Sequence, residues 1–108
     1  MFELMFPDIG RRVQAYEADD KSSFEAVDIA KELHGKGLVV SLAGVDRFEG
    51  LVLAGPQEAW RFKHAICSFN GTGPKASAEI LELFGFGNRV KILKVISNPH
   101  QSRYFYPM

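Results

Sequence analysis

WRFKHAICSFNGTGPKASAEILELFGFGNRVKILKVI, residues 60–96, is the stretch whose reading decides the fold. It begins with an apolar run from Trp60 to Ser68 and Phe69 and passes through the small-residue turn Asn70-Gly71-Thr72-Gly73-Pro74. A helical pattern then continues to Phe84, Gly85-Phe86-Gly87 stops it, and a second apolar run follows. That succession predicts a strand, a helix and a strand. Alternation along the first run puts Trp60, Phe62, His64, Ile66 and Ser68 on a core-facing row and Arg61, Lys63, Ala65, Cys67 and Phe69 on the other. Pro74 suits a first helical position with Gly73 as cap, and Ala76, Ile80, Leu83 and Phe84 make the buried stripe. With Gly85 as a left-handed stop, Phe86 falls back against Leu81. Val90, Ile92 and Ile96 alternate with Lys91, Leu93 and Val95, which predicts a strand closed by Pro99.

Upstream, Phe2, Leu4 and Phe6 alternate in a short strand that Pro7 ends, and residues 11–17 form a second strand candidate. Asp19-Asp20 reads as a solvated turn. Ser22 and Glu25 have capping-box spacing, so a helix starts there, with Ala26, Ile29, Ala30 and Leu33 as its apolar stripe and Gly35 as its stop. Residues 38–43 are too short and too β-branched for a helix and predict a buried strand, with Gly44-Val45-Asp46 as its turn. Residues 48–54 form the next strand, in which Gly50 marks a bulge or a close backbone approach, and Gly55-Pro56-Gln57 turns the chain toward Trp60.

The sum is an α+β class chain, residues 1–108 as one domain: a two-layer sandwich with a mixed sheet of about five strands and two helices on one face, akin to a ferredoxin-like topology with an added strand. Fold alone carries no function.

Composition narrows the partners. Of 108 residues 46% are hydrophobic and 24% charged, an ordinary globular balance. Thirteen Lys and Arg against thirteen Asp and Glu leave no basic surplus of the kind that grips a nucleic-acid backbone, which makes nucleic acid an unfavoured partner. The single cysteine, Cys67, gives no intramolecular disulfide, and no apolar run approaches membrane-spanning length, so the expected location is cytoplasmic and without a membrane partner.

The sharpest candidate site is the turn into the central helix. Glycines allow close backbone approach, first-turn N–H groups lack internal partners, and the helix dipole favours negative charge there. Gly71, Thr72, Gly73 and Lys75 would hold a phosphate or carboxylate, and the following strand end would bring Ser97, Asn98 and His100 toward them. The same residues would also serve as a plain turn and helix start, and their spacing matches neither phosphate-loop nor dinucleotide fingerprints. A second reading is a small enzyme with a histidine acid-base, His64 or His100, in a pocket roofed by Trp60 and Phe62. His64 and Lys94 interrupt apolar rows and, with Trp60, are the pocket candidates. His64 and Cys67 fall on opposite faces of an unbroken strand and form no nucleophile pair. A third reading uses Arg61, Lys63 and Phe69 with Lys91 and Leu93 as a basic, aromatic sheet face for nucleic acid. No metal-ligand spacing is present and no cofactor is implied. Tyr104-Phe105-Tyr106 is too aromatic for a solvated tail and predicts packing on its own domain or, as the expected partner, on a second copy in a homodimer.

Overall fold

The computed structural model describes residues 2–6, 11–56, 58–68, 71–101 and 103–107. In chain order it contains β1 (Phe2–Phe6), β2 (Arg11–Glu17), α1 (Ser23–Gly35), β3 (Leu42–Asp46), β4 (Gly50–Ala54), β5 (Ala59–Phe62), α2 (Thr72–Leu83), α3 (Arg89–Ile96) and β6 (Arg103–Pro107). The centre of the sheet is a four-strand mixed unit, β2-β5-β4-β3, in which only the β2–β5 pair is parallel. β1 pairs outside β2 and β6 outside β3, both antiparallel.

Strand alternation gives the sheet two different faces. Ala43 and Val45, Leu51 and Leu53, and Phe62 join Ala26 and Ala30 of α1, Ala76, Ile80 and Leu81 of α2, and Ile92 and Ile96 of α3 in one core. All three helices therefore cover this face, and the expected two-layer α+β arrangement holds. The alternate residues Ala15, Leu42, Val52, Ala54 and Ala59 form a smaller buried cluster on the other face.

The hairpin between β3 and β4 explains where the strands lie. Gly44-Val45-Asp46 is not the turn: these residues complete β3, and the turn begins at Asp46, whose carboxylate accepts the N–H groups of Phe48 (2.7 Å) and Glu49 (2.9 Å). Gly50 closes it with φ +91°. Residues 47–49 make the connection, and a left-handed glycine where the return strand begins is a favoured way to close such a hairpin. A Cβ at Gly50 would collide with the Phe62 carbonyl of β5, so the close approach expected at this glycine is present.

Helix ends follow local chemistry. Ser22 Oγ accepts the Glu25 N–H at 3.1 Å and starts α1 as expected. Its stop is two residues later than expected: Gly35 is helical, Gly37 takes φ +90°, and Leu38 N–H returns to the Leu33 carbonyl. α2 is capped by Gly71 rather than Gly73, which places Pro74 in the third helical position, where its missing N–H costs nothing. Its end is the expected one. Gly85 has φ +88°, and Phe86 N–H bonds to the Leu81 carbonyl at 3.0 Å.

The expected strand over residues 90–96 is instead α3. Asn88 Oδ1 accepts the N–H groups of Val90 and Lys91, and Ile92 and Ile96, four residues apart, turn inward. Arg89 locks the start of α3 onto α2: its backbone N–H and guanidinium grip the Glu82 carboxylate at 2.8 and 2.9 Å, and Nη1 reaches Glu79 at 3.0 Å. Those bonds hold Glu82 below the usual carboxylate range and raise Arg89 in turn.

With α3 in that place, the last strand is the aromatic tail. β6 lies along β3, and Tyr104 and Tyr106 pack against the helix-side core. Tyr104 Oη donates to the Val95 carbonyl at 2.6 Å. Burial pushes the Tyr106 phenol up to about 12. Among the described residues, six strands and three helices thus stand where about five and two were expected, and Tyr104 and Tyr106 are seated within their own chain. Phe69, Asn70 and the Phe105 side chain lie outside the described residues.

Candidate functional site

Among the described residues, cavities of about 640, 430 and 130 Å³ open on the helix side. The first of these is a groove over α2 between α1 and α3. Its apolar walls are Phe24 and Val27 of α1 and Val90 and Leu93 of α3, with Ala76 of α2 on the floor. Phe24 is 73% exposed and Val90 58%, so both present free apolar surface. The groove also contains Asp28, Lys31, Thr72, Lys75, Glu79 and Arg89. Arg89 is taken by Glu79 and Glu82, whereas no ion pair forms at Lys31 or Lys75 among the described residues.

The candidate residues of the central turn divide between this groove and its surroundings. Thr72 and Lys75 line it. No side chain caps α2, and among the described residues no acceptor engages the N–H of Thr72 or Gly73; the first bond of the helix is Lys75 N–H to the Gly71 carbonyl at 3.4 Å. Gly71, at φ +138°, has open space where a Cβ would stand. Gly73 does not: Ile66 fills that space, so this glycine serves helix packing.

Ser97, Asn98 and His100 do not join them. Ser97 caps α3, Asn98 Oδ1 accepts the His100 N–H at 3.0 Å, and the loop is tied to the end of the β5–α2 connection by Ser68, whose N–H donates to the Ile96 carbonyl and whose hydroxyl donates to Gln101. Asn98 thus spends its side chain on its own turn, and none of the three lines the groove.

The second cavity, about 430 Å³, is lined by Leu33, Lys36, Gly37, Leu38, Val39, Pro56, Glu58 and Trp60. Of the pocket candidates only Trp60 is here. Its ring lies 5.1 Å from that of Tyr16. His64 is exposed because β5 ends at Phe62: the buried Asp20 carboxylate accepts the N–H groups of Lys63 (3.0 Å) and His64 (2.7 Å) and bends the chain off the sheet. Asp20 is 4% exposed, so the expected solvated turn is instead an internal clasp. Lys94 is exposed in the last turn of α3, where a cation complements the dipole, and interrupts no core row. A roof of Trp60 and Phe62 over a histidine is not formed, since Phe62 is fully buried and neither His64 nor His100 lines any of these cavities.

The basic sheet face is likewise not assembled. Arg61 is bound by Glu17 and, at 3.1 Å, by Glu49, while Lys91 and Leu93 sit on α3 rather than on a neighbouring strand. Cys67 is fully buried, its Sγ 3.3 Å from Ser68 Oγ and 3.8 Å from the Val45 carbonyl. Burial pushes the thiol up. A thiol this inaccessible is expected to resist an aromatic disulfide reagent at pH 8 and to react within minutes once urea unfolds the chain; rapid labelling of the native protein would contradict this.

No His, Cys, Asp and Glu group suited to a metal occurs among the described residues, and none of their helices is long and apolar enough to cross a membrane. The groove walls escaped sequence reasoning, although the signal existed: Phe24, Val27 and Lys31 recur at helical spacing on a second face of α1. Searches against protein-family models, curated proteins and solved structures returned no match.

Proposed function

We propose that this chain is a binding domain whose site is the groove over α2, and that its ligand combines an apolar part with an anionic group. The observation that supports this is the meeting, in one groove, of apolar walls from α1 and α3 with the uncapped first turn of α2 and Lys75. The volume, about 640 Å³, falls in the range of ligand sites. The apolar part lies along Phe24, Val27, Val90 and Leu93. The anionic group sits at the Thr72 end, where free backbone N–H groups, the dipole and the Lys75 ammonium act together. The Thr72 hydroxyl adds a donor.

Decyl phosphate and decanol separate the two contributions. Titration calorimetry is expected to show the phosphate binding more tightly than the alcohol. Lys75→Glu should reduce phosphate affinity roughly tenfold while leaving the alcohol unchanged. Lys75 is exposed, so the variant should fold. Equal affinities for both amphiphiles, or a Lys75→Glu variant with undiminished phosphate binding, would remove the anionic part of the reading.

A further inference from the structure

We infer that the second cavity binds a small, free organic cation, an alkylated ammonium group, between the Glu58 carboxylate and the Trp60 ring at the C-terminal end of α1. This site shares no lining residue with the groove over α2 and goes beyond the function proposed there. The backbone sets it up. Glu58 and Trp60 are two residues apart on the extended segment that enters β5, so both fall on the helix side of the sheet, where Leu33 and Lys36 of α1 close the cavity. The chain leaves α1 through Gly37 and passes Val39, whose carbonyl lies so near Gly55 that a Cβ there would collide with it. That contact fixes one rim against the other. The volume, about 430 Å³, falls in the range of small-ligand sites.

The charges favour a cation. Lys36 lines the cavity but is matched by Glu32 at 3.2 Å, whereas no ion pair or side-chain hydrogen bond forms at Glu58 among the described residues. These three groups together leave one negative charge. The Gly55 N–H donates to the Glu58 carbonyl at 2.8 Å, so the backbone holds this turn and leaves the carboxylate to the cavity. α1 adds to the same sign: its last turn presents the negative end of the dipole, and among the described residues no N–H engages the carbonyls of Gly35 and Lys36. Trp60 contributes its ring rather than a donor. Its Nε1 is buried and without a partner, so the cavity meets ring carbon atoms, and the π system attracts a cation seated against it. The Tyr16 ring, 5.1 Å away, steadies the indole.

The walls select the kind of cation. Leu33, Leu38, Val39 and Pro56 are apolar, and Val39, 64% exposed, carries that surface out to solvent. A bare metal ion needs a shell of oxygen ligands and would lose its water against such walls. An alkylated ammonium carries its charge beneath apolar groups and gains from the walls, the ring and the carboxylate at once.

Trp60 is the only tryptophan of the chain, so its intrinsic fluorescence reads the cavity directly. The probes are choline and neohexyl alcohol, its uncharged carbon isostere. Titration of the full chain is expected to give a saturable change with choline at a Kd about tenfold below that of the alcohol, and the Leu38 and Val39 methyl shifts should follow the same Kd. Glu58→Gln should raise the choline Kd about fivefold and leave that of the alcohol unchanged. The substitution keeps the side chain's shape and breaks no bond of the turn, so the variant should fold. Flotation with phosphatidylcholine vesicles should leave the chain in solution. Equal Kd values for the two probes, undiminished choline binding by Glu58→Gln, or no saturable response to choline would each overturn the cation site. Flotation with the vesicles that Glu58→Gln abolishes would overturn the free ligand, since a lipid headgroup would then occupy the cavity.

Discussion

Gly50→Ala is expected to destabilise the fold by roughly 3 kcal/mol, whereas Gly37→Ala should cost about 1 kcal/mol or less. The two glycines have nearly the same backbone conformation, φ +91° and φ +90°. They differ in surroundings. A Cβ at Gly37 meets nothing within 4 Å, but one at Gly50 runs into the Phe62 carbonyl of the adjacent strand. Left-handed strain is common to both sites, and alanine recovers part of it by restricting the unfolded chain. Only at Gly50 must β4 and β5 also move apart, at the Leu51–Phe62 end of their register. Urea denaturation midpoints of the two variants measure the difference directly. Equal losses would mean that backbone strain alone decides and that the close approach is absent.

Asp20→Ala should cost roughly 2–3 kcal/mol and Asp20→Asn about half as much. The buried carboxylate accepts two backbone N–H groups, from Lys63 and His64, across more than forty residues of sequence. Alanine leaves both donors without their partner. Asparagine keeps one neutral acceptor of the same shape. The cost stays at this level rather than higher because Lys63 and His64 are themselves exposed and water reaches part of the freed backbone. The clasp has a functional side as well. It fixes the segment that enters α1 against the segment that leads to α2, and so sets the two helix starts that share the groove. Asp20→Asn should therefore weaken decyl phosphate binding even under conditions where the chain remains folded; unchanged affinity would show that the groove does not depend on the clasp.

Much of the architecture could be read from residue patterns. The Ser22 cap, the left-handed stop at Gly85 with Phe86 returning to Leu81, and the constraint at Gly50 are local, and each was visible in a few neighbouring residues. The errors arose where local signals were ambiguous or where distant residues decided. Val90, Ile92 and Ile96 alternate like a strand, yet Ile92 and Ile96 are also one helical turn apart. Eight residues that are all β-branched or basic except Leu93 cannot settle the period, and Asn88 capping two N–H groups does. Asp19-Asp20 looked like solvent-facing charge because nothing nearby hinted that Lys63 and His64 would supply its donors. Shortening β5 at Phe62 then moved His64 out of the core row, and turning the last apolar run into α3 moved Lys94 and Lys91 off the sheet. Of the residues expected at the candidate site, Thr72 and Lys75 line the groove. Its walls come from three separate helices, and no single segment carries that information.

The most direct measurement of the groove's role is an amide and methyl chemical-shift map of the full chain titrated with decyl phosphate. The account predicts that the largest amide changes fall at Thr72 and Gly73 and the largest methyl changes at Val27, Ala76, Val90 and Leu93. Shifts centred instead on Leu38, Val39 and Trp60 around the second cavity, or no saturable shifts at all, would contradict it.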